Sequence, residues 1–147
     1  MTEIVGFTGS RDLPLPLPQS RRVIREAVQS LPEGTRVVTG ACIGVDAEVA
    51  YLAYGTYHVH TVVPADRSRV DPQWRDYCDT FEEMPVGTTY RDRNQRIVDL
   101  STRLIGIAQA PEDDIHSRRS GTWQTIRMAR RAGKAVDVRL LTTTCDS

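Results

Sequence analysis

The stretch RVVTGACIGVDAEVAYLAY, residues 36–54, passes from a short apolar run through a turn with two glycines into a helical pattern. Arg36–Thr39 is typical of a strand that is buried on both faces, and Val45–Tyr54 has the length and apolar content of a helix. Gly40 and Gly44 lie between them, where a tight turn needs residues without a side chain. A strand that leads through glycines into a helix is the repeating unit of α/β domains.

The same alternation of strand and helix continues along the whole chain. Further strands are predicted at Ile4–Thr8, His58–Val63, Arg103–Ala108 and Ala135–Leu141, and further helices at Gln19–Leu31, Arg91–Ser101 and Thr122–Ala132. Because parallel strands are joined by right-handed crossovers, this order predicts a doubly wound, mostly parallel sheet of five or more strands with helices on both faces. A single domain spanning residues 1–147 is expected.

Four other segments complete this prediction. Leu13–Pro18 contains three prolines and is predicted to be neither helix nor central strand. The polar segment Asp66–Pro85 is interpreted as an excursion over the edge of the sheet, and Ala110–Arg119 as a loop. Gly133 is in a suitable place to end the last helix. The final residues, Thr142–Ser147, are expected to fray.

Composition and charge exclude several classes of protein. The chain has 147 residues, 39% of them hydrophobic and 26% charged, which is typical of an ordinary globular domain. No apolar run approaches the roughly 18–20 residues of a membrane span, and no secretory signal precedes the first strand, so a cytoplasmic protein is expected. Nineteen basic and nineteen acidic residues give a formal net charge of zero. A protein that tracks duplex phosphates usually carries a large positive excess.

Cysteines and histidines give no sign of a metal centre. Cys42, Cys78 and Cys145 contain no CxxC pair, and the three histidines do not have the spacing of metal ligands. Cys42 is interpreted as a small buried residue of an apolar turn. We therefore expect neither a metal nor a resident cofactor.

Candidate binding residues lie in three glycine-containing turns, each just before a helix or at the end of a strand. These turns are Gly9-Ser10-Arg11, Gly40 to Asp46 and Ser120-Gly121-Thr122. Free amides at a helix N-terminus accept an anion, and the carboxyl ends of parallel strands meet at one edge of the sheet. The three turns therefore predict one phosphate site at that edge. Neither a Walker A sequence nor the dinucleotide GxGxxG is present.

Three longer motifs resemble one superfamily. TGACIGVDAEVA (residues 39–50) resembles the SGxxxGIDxxxH turn of the Smf/DprA family. RNQRIVDLS (residues 93–101) resembles that family's RNRxIxxLS helix, and SGTWQTIRMARRAGKAV (residues 120–136) is similar to its SGSxxTAxxAxxxGR segment. The chain thus resembles a stand-alone member of the SLOG superfamily, which contains the Smf/DprA-like and LOG-like domains. The resemblance implies a Rossmann-like fold, a nucleotide-binding role and a homodimer or higher homo-oligomer.

The resemblance also assigns a role to individual residues. It implies that the first turn lies beside the phosphate or ribose of a ligand, and that Arg93 is the motif arginine, a tentative catalytic residue. Asp46, at the start of its helix, has the alternative role of capping helix amides. The implied ligand-binding residues are Gly9, Ser10, Arg11, Gly40, Gly44, Asp46, Asn94, Ser120, Gly121 and Thr122.

The sequence is compatible with three functions. The first is binding of a nucleotide or of a nucleotide-derived phosphate ligand, which the turns alone could perform. The second is a LOG-like phosphoribohydrolase, whose PGGxGTxxE motif carries a glutamate at the position of Thr125; a threonine cannot supply an ionised carboxylate. Asp46 or Glu112 is a conceivable substitute. The third is DprA-like binding of single-stranded DNA, against which stand the neutral charge and an aromatic content of only 6%.

Overall fold

The structure is a computed structural model that describes residues 2–141, and its centre is a parallel sheet of six strands. In chain order the strands are β1 (Ile4–Gly9), β2 (Arg36–Thr39), β3 (His58–Val63), β4 (Thr80–Glu83), β5 (Arg103–Ala108) and β6 (Ala135–Leu140). Their spatial order is β4-β3-β2-β1-β5-β6, and every neighbouring pair is parallel. The fold class predicted from the sequence is confirmed.

Four helices cover the two faces of this sheet. They are α1 (Leu17–Gln29), α2 (Val45–Ala53), α3 (Tyr90–Leu100) and α4 (Gly121–Arg131). One core joins α1 and α2 to side chains such as Phe7 and Ile105. The second core joins α3 and α4 to side chains such as Leu104 and Val38. Because neighbouring side chains of a strand point to opposite faces, Leu104 and Ile105 belong to different cores.

Two corrections concern the first helix and the sheet edge. Leu13–Pro18 was predicted to be outside any helix, but α1 begins at Leu17, and Pro18 lies in its first turn. Proline is tolerated there because a helix makes no use of its first N–H groups. The excursion Asp66–Pro85 contains a short 3-10 helix at Trp74–Tyr77 and the edge strand β4. The sequence of β4, TFEE, lacks the apolar alternation by which strands are recognised.

The remaining strand and α-helix boundaries agree with the predictions to within two residues, but the predicted loop Ala110–Arg119 contains a second 3-10 helix at Ile115–Arg119. Gly133 adopts a φ of 74°, the left-handed conformation expected just after a helix. Cys42 is buried, as predicted. Among residues 2–141 no helix is long and apolar enough to cross a membrane. The prediction for residues 142–147 lies outside the described residues.

The strand order reverses direction between β1 and β5. The chain leaves β1 towards α1 on one face and leaves β5 towards α4 on the other face. The two connections diverge and leave a crevice at the carboxyl ends of these strands, which is where α/β sheets of this kind bind ligands.

Candidate functional site

A cavity of about 740 Å³ occupies this crevice. Its volume lies within the range of roughly 300–1,000 Å³ that is usual for small-molecule sites. Its walls come from the end of β1, the beginning of α3, the loop after β5 and the first turn of α4. Nine predicted site residues line it: Gly9, Ser10, Arg11, Asp46, Arg93, Asn94, Ser120, Gly121 and Thr122.

The turn after β1 contributes an exposed arginine to the cavity. The guanidinium carbon of Arg11 lies 5.0 Å from the centre of the Tyr90 ring, and the Tyr90 hydroxyl donates a hydrogen bond of 3.0 Å to the Asp66 carbonyl. The tyrosine is therefore anchored at its far end and supports the arginine through a cation–π contact. No carboxylate in the described part of the chain forms an ion pair with Arg11, so its charge stays available to a ligand.

The second glycine turn is packed against the first one. The N–H of Val45, at the start of α2, donates a hydrogen bond of 2.9 Å to the Ser10 carbonyl. Gly44 has a φ of 86°, and a methyl group on it would lie 2.4 Å from the carbonyl oxygens of Ser10 and Arg11. This position therefore requires glycine for both its conformation and its close contact. The first amide of α2 is consequently bonded to the protein itself rather than open to an anion.

Gly40 and Gly44 lie outside the lining of the cavity. A methyl group on Gly40 would lie 1.9 Å from Nη1 of Arg93. Nη1 donates a hydrogen bond to the Gly40 carbonyl and lies 3.6 Å from Oδ2 of Asp46. The two glycines therefore act on the cavity indirectly: Gly44 fixes the Ser10–Arg11 turn, and Gly40 leaves room for Arg93.

Asp46 braces the second turn from inside. Its carboxylate accepts hydrogen bonds of 3.2 Å from the Thr39 hydroxyl and from the N–H of Cys42. The first residues of α2 receive no side-chain cap from it, so the alternative helix-capping role is not the one observed. Burial raises the pKa of the Asp46 carboxyl, and the adjacent Arg93 guanidinium opposes that shift.

Cys42 belongs to the same buried group. Its Sγ accepts a contact of 3.7 Å from Nη1 of Arg93. Burial is the main cause of the raised pKa of its thiol, and the nearby Asp46 carboxylate adds to it. A thiol with a raised pKa is a poor nucleophile near neutral pH, so Cys42 is a packing residue of the cavity wall.

The N-terminus of α4 opens directly into the cavity. Ser120 caps the helix, and its hydroxyl accepts a hydrogen bond of 3.3 Å from the N–H of Trp123. The N–H groups of Gly121 and Thr122 precede it and have no acceptor within the helix. Trp123 is held from the other side, since its indole N–H donates to the Ala110 carbonyl at 3.0 Å. The backbone N–H groups of Gly121 and Thr122, together with the helix dipole, make this end of α4 electrostatically favourable for an anion.

The first turn of α3 brings two more side chains to the cavity. Thr89 and Asp92 form a capping box, with the Asp92 N–H donating to the Thr89 hydroxyl at 3.2 Å and the Thr89 N–H donating to Oδ2 of Asp92 at 2.8 Å. This cap fixes the turn that carries Arg93 and Asn94. Both side chains are buried, and Nε of Arg93 donates to Oδ1 of Asn94 at 2.9 Å.

Sequence reasoning missed several residues of the lining. Tyr90 and Arg119 line the cavity but are not among the predicted site residues. The cavity is also lined by Asp12, Arg91, Asp114, His116, Ser117 and Gln124. Asp12 and Asp114 lie in loops, and His116 and Ser117 lie in a short 3-10 helix at Ile115–Arg119, where periodicity gives no signal. The run of arginine and histidine from His116 to Arg119 was the one available hint. Within residues 2–141 no three His, Cys, Asp or Glu side chains form a group that could hold a metal ion.

The architecture defines a class of protein before any particular relative is considered. A parallel sheet with a cavity at its switch point is a Rossmann-like ligand-binding fold. No protein-family model and no curated protein matches the sequence.

Solved structures with the same fold are of two kinds. DNA processing protein A from Streptococcus pneumoniae matches with a TM-score of 0.75 and 19% identity over 99% of this chain and 52% of that one. DNA processing protein A from Helicobacter pylori, whose structure describes a single-stranded DNA binding mode, matches with a TM-score of 0.63 and 20% identity over 92% of this chain. The chain spans 64% of the Helicobacter protein.

The molybdenum cofactor carrier protein of Chlamydomonas reinhardtii is the second kind of neighbour. It has a TM-score of 0.63 and 17% identity, with 94% of this chain and 76% of that chain covered. Both kinds of neighbour share the fold of this chain, so the Rossmann-like fold that the motifs implied is confirmed.

Proposed function

We propose that this chain binds a nucleotide or a nucleotide-derived phosphate ligand in the cavity between β1 and β5. The observation that carries the proposal is the first turn of α4. Its amides at Gly121 and Thr122 have no acceptor within the helix and lie in the lining of a cavity large enough for such a ligand. A phosphate group is the anion that helix N-termini in α/β folds commonly bind.

The charge distribution around the cavity supports an anionic ligand. Four arginines line it, at positions 11, 91, 93 and 119, against three aspartates at positions 12, 46 and 114. Asp46 is paired with Arg93, and Asp114 accepts a hydrogen bond from the His116 N–H. The cavity therefore has a local positive excess, although the whole chain is neutral. Arg11 is the best placed of the arginines for contact with a phosphate or a planar base, since it is exposed and already stacked on Tyr90.

Hydrolysis of the ligand is not part of the proposal. Thr125, at the position of the LOG glutamate, is fully buried, and its hydroxyl donates to the Gly121 carbonyl at 2.8 Å. Glu112 pairs with Arg127 and Arg130 at 3.1 Å and 3.0 Å and does not line the cavity. The Asp46 carboxylate already accepts hydrogen bonds from Thr39 and Cys42 of the second turn. None of Thr125, Glu112 and Asp46 therefore supplies the exposed carboxylate in the cavity that the LOG glutamate would provide.

Single-stranded DNA is the second candidate ligand. The Helicobacter pylori neighbour binds it, whereas the Chlamydomonas neighbour carries a molybdenum cofactor, so the shared fold serves both nucleic acids and small ligands. Tyr90 could stack on a base, but guanidinium groups already approach its ring at 5.0 Å and 5.6 Å. A small phosphate ligand therefore ranks first. The homo-oligomeric state and the cytoplasmic location stay predictions.

A thermal-shift screen against nucleotides and a short single-stranded oligonucleotide tests the proposal. A ligand that binds only the folded state raises Tm by mass action. Arg11→Ala is expected to weaken binding by roughly tenfold or more, because a charged hydrogen-bond partner is lost. Gly121→Val is expected to abolish binding, because its methyl groups would occupy the anion site. Arg22→Ala, an exposed arginine of α1, is the matched control.

Two results would count against the proposal. If no nucleotide raises Tm, the cavity is not a nucleotide site. If Arg11→Ala and Gly121→Val both bind as tightly as the native chain, the ligand lies on another surface. A salt-sensitive increase in Tm with the oligonucleotide alone would favour binding of single-stranded DNA.

A further inference from the structure

A side-chain amide of α3 faces the N-terminus of α4 inside the cavity. Asn94 is only 6% exposed, and its Oδ1 accepts a hydrogen bond of 2.9 Å from Nε of Arg93. A guanidinium has donors and no acceptor, so Asn94 must present its oxygen to Arg93 and its nitrogen to the other side. A methyl group placed on Gly121 would lie 4.0 Å from this Nδ2 atom. The amide nitrogen is therefore next to the first residue of α4.

The Nδ2 group of Asn94 is open to the cavity. In the described part of the chain, Nδ2 makes no hydrogen bond. Every fully buried side-chain nitrogen or oxygen there does have a hydrogen-bond partner. Nδ2 must therefore keep some accessible surface, and Asn94 lines the cavity. A polar group that is more than nine-tenths buried and has free N–H groups is costly unless a ligand or water accepts them. This observation is independent of the helix terminus, and it points to an acceptor at the same place.

We propose that Arg93 is a positioning residue, which orients Asn94 so that its amide donates to the phosphate at the N-terminus of α4. This inference rests on the proposed function. Arg93 itself is occupied, because Nη1 bonds the Gly40 carbonyl and pairs with Asp46 while Nε bonds Asn94. Its tentative catalytic role is replaced by an indirect one.

The resulting subsite contains neutral donors only. The backbone N–H groups of Gly121 and Thr122 and the Nδ2 group of Asn94 all donate, and Oδ1 of Asn94 is already used by Arg93. A group that satisfies three donors must be an acceptor with several oxygens, such as a phosphate. Arg93 thereby links the second glycine turn to the anion site without touching the ligand.

Two substitutions separate the roles of the two residues. Arg93→Lys keeps a cation beside Asp46, but its single nitrogen cannot also donate to Oδ1 of Asn94 as Nε of arginine does. Asn94→Ala removes the donor itself. With AMP as the probe in titration calorimetry, Asn94→Ala is expected to lower affinity roughly 10- to 100-fold, and Arg93→Lys about tenfold. If Arg93 acts through Asn94, the double variant binds no more weakly than Asn94→Ala alone. Arg96→Lys, which changes an arginine of the same helix outside the cavity, is the matched control.

An NMR titration with inorganic phosphate gives a readout that a purely structural role would not move. In the native chain the side-chain NH2 resonances of Asn94 and the amides of Gly121 and Thr122 are expected to shift together. In Arg93→Lys the two backbone amides should still shift, while the response of Asn94 is lost. If Arg93→Lys does not fold, the native titration and Asn94→Ala still test whether Asn94 donates to the phosphate, without which Arg93 has no positioning role.

The possible failures can be distinguished from one another. If the native chain binds neither AMP nor phosphate, the proposed function fails. If it binds while the Asn94 NH2 signals stay unmoved, or if the losses in the two single variants multiply in the double variant, the positioning role is wrong.

Discussion

Gly40 shows how one residue without a side chain supports the whole site. A methyl group there would lie 1.9 Å from Nη1 of Arg93 and 2.9 Å from Oδ2 of Asp46. Arg93 cannot swing away cheaply, because it is buried and bonded to Asn94 at the other end of its guanidinium. The substitution must therefore displace a buried ion pair.

We expect Gly40→Ala to destabilise the fold by about 1–3 kcal/mol, the usual cost of forcing extra volume into a packed interior. It should also weaken phosphate binding, because the displaced Arg93 no longer holds Asn94. Urea unfolding followed by circular dichroism measures the first effect, and calorimetry the second.

Gly121→Ala is the matched control for this prediction. Its added methyl group would lie 4.0 Å from the nearest atom, an ordinary contact, so we expect stability within about 0.5 kcal/mol of the native chain. Equal stability of the two variants would show that Arg93 is free to move, which would contradict the brace described above.

At this scale the sequence predicted which residues meet, but not what each one does. Nine of the eleven predicted site residues line one cavity. Strand-end glycines and the family motifs were sufficient for that. The bond from Val45 to the Ser10 carbonyl, which closes the second turn to an anion, joins two separate turns. No local pattern reports such a contact, and the same holds for the bond between Arg93 and Gly40.

The edge strand β4 is an element that hydrophobic periodicity in the sequence does not reveal. β4 is held by polar contacts: the Thr80 hydroxyl lies 3.0 Å from Nε2 of His58 and 2.7 Å from Nδ1 of His60. Arg96 of α3 binds Glu82 at 2.6 Å. The other five strands were predicted from the sequence, whereas β4 depends on side chains from two other elements. Its sequence alone therefore resembles a loop.

Stability should fall at mildly acidic pH through this edge of the sheet. Burial lowers the pKa of His60 below 6.5; Glu82 opposes the shift, while His58, Arg96 and Arg36 add to it. As pH falls through about 6.5, this histidine is protonated in the unfolded chain but still neutral in the folded chain. The free energy of unfolding therefore decreases.

Urea unfolding from about pH 7.5 to about pH 5.5 measures this effect. The native chain is expected to lose stability across that interval, and His60→Gln, which cannot titrate, should lose less. If the two proteins have the same dependence on pH, His60 is not a source of the acid sensitivity.

For the molecule as a whole, the position of the cavity follows from topology more than from composition. The neutral net charge gave no reason to expect an anion site. The reversal of strand order between β1 and β5 creates the crevice, and the turn after β1 and the N-terminus of α4 supply its arginine and its free amides. The order of strands and helices along the chain predicted the doubly wound sheet. The ligand stays undetermined by fold, since neighbours of the same fold bind single-stranded DNA or carry a molybdenum cofactor.

We propose above all that a phosphate binds at the N-terminus of α4. A crystal structure of the protein grown with the nucleotide that raises Tm most tests it directly. We predict a phosphate oxygen within about 3.2 Å of the backbone nitrogens of Gly121 and Thr122 and of Nδ2 of Asn94. A phosphate bound elsewhere on the protein, with these three groups left in contact with water, would contradict this proposal.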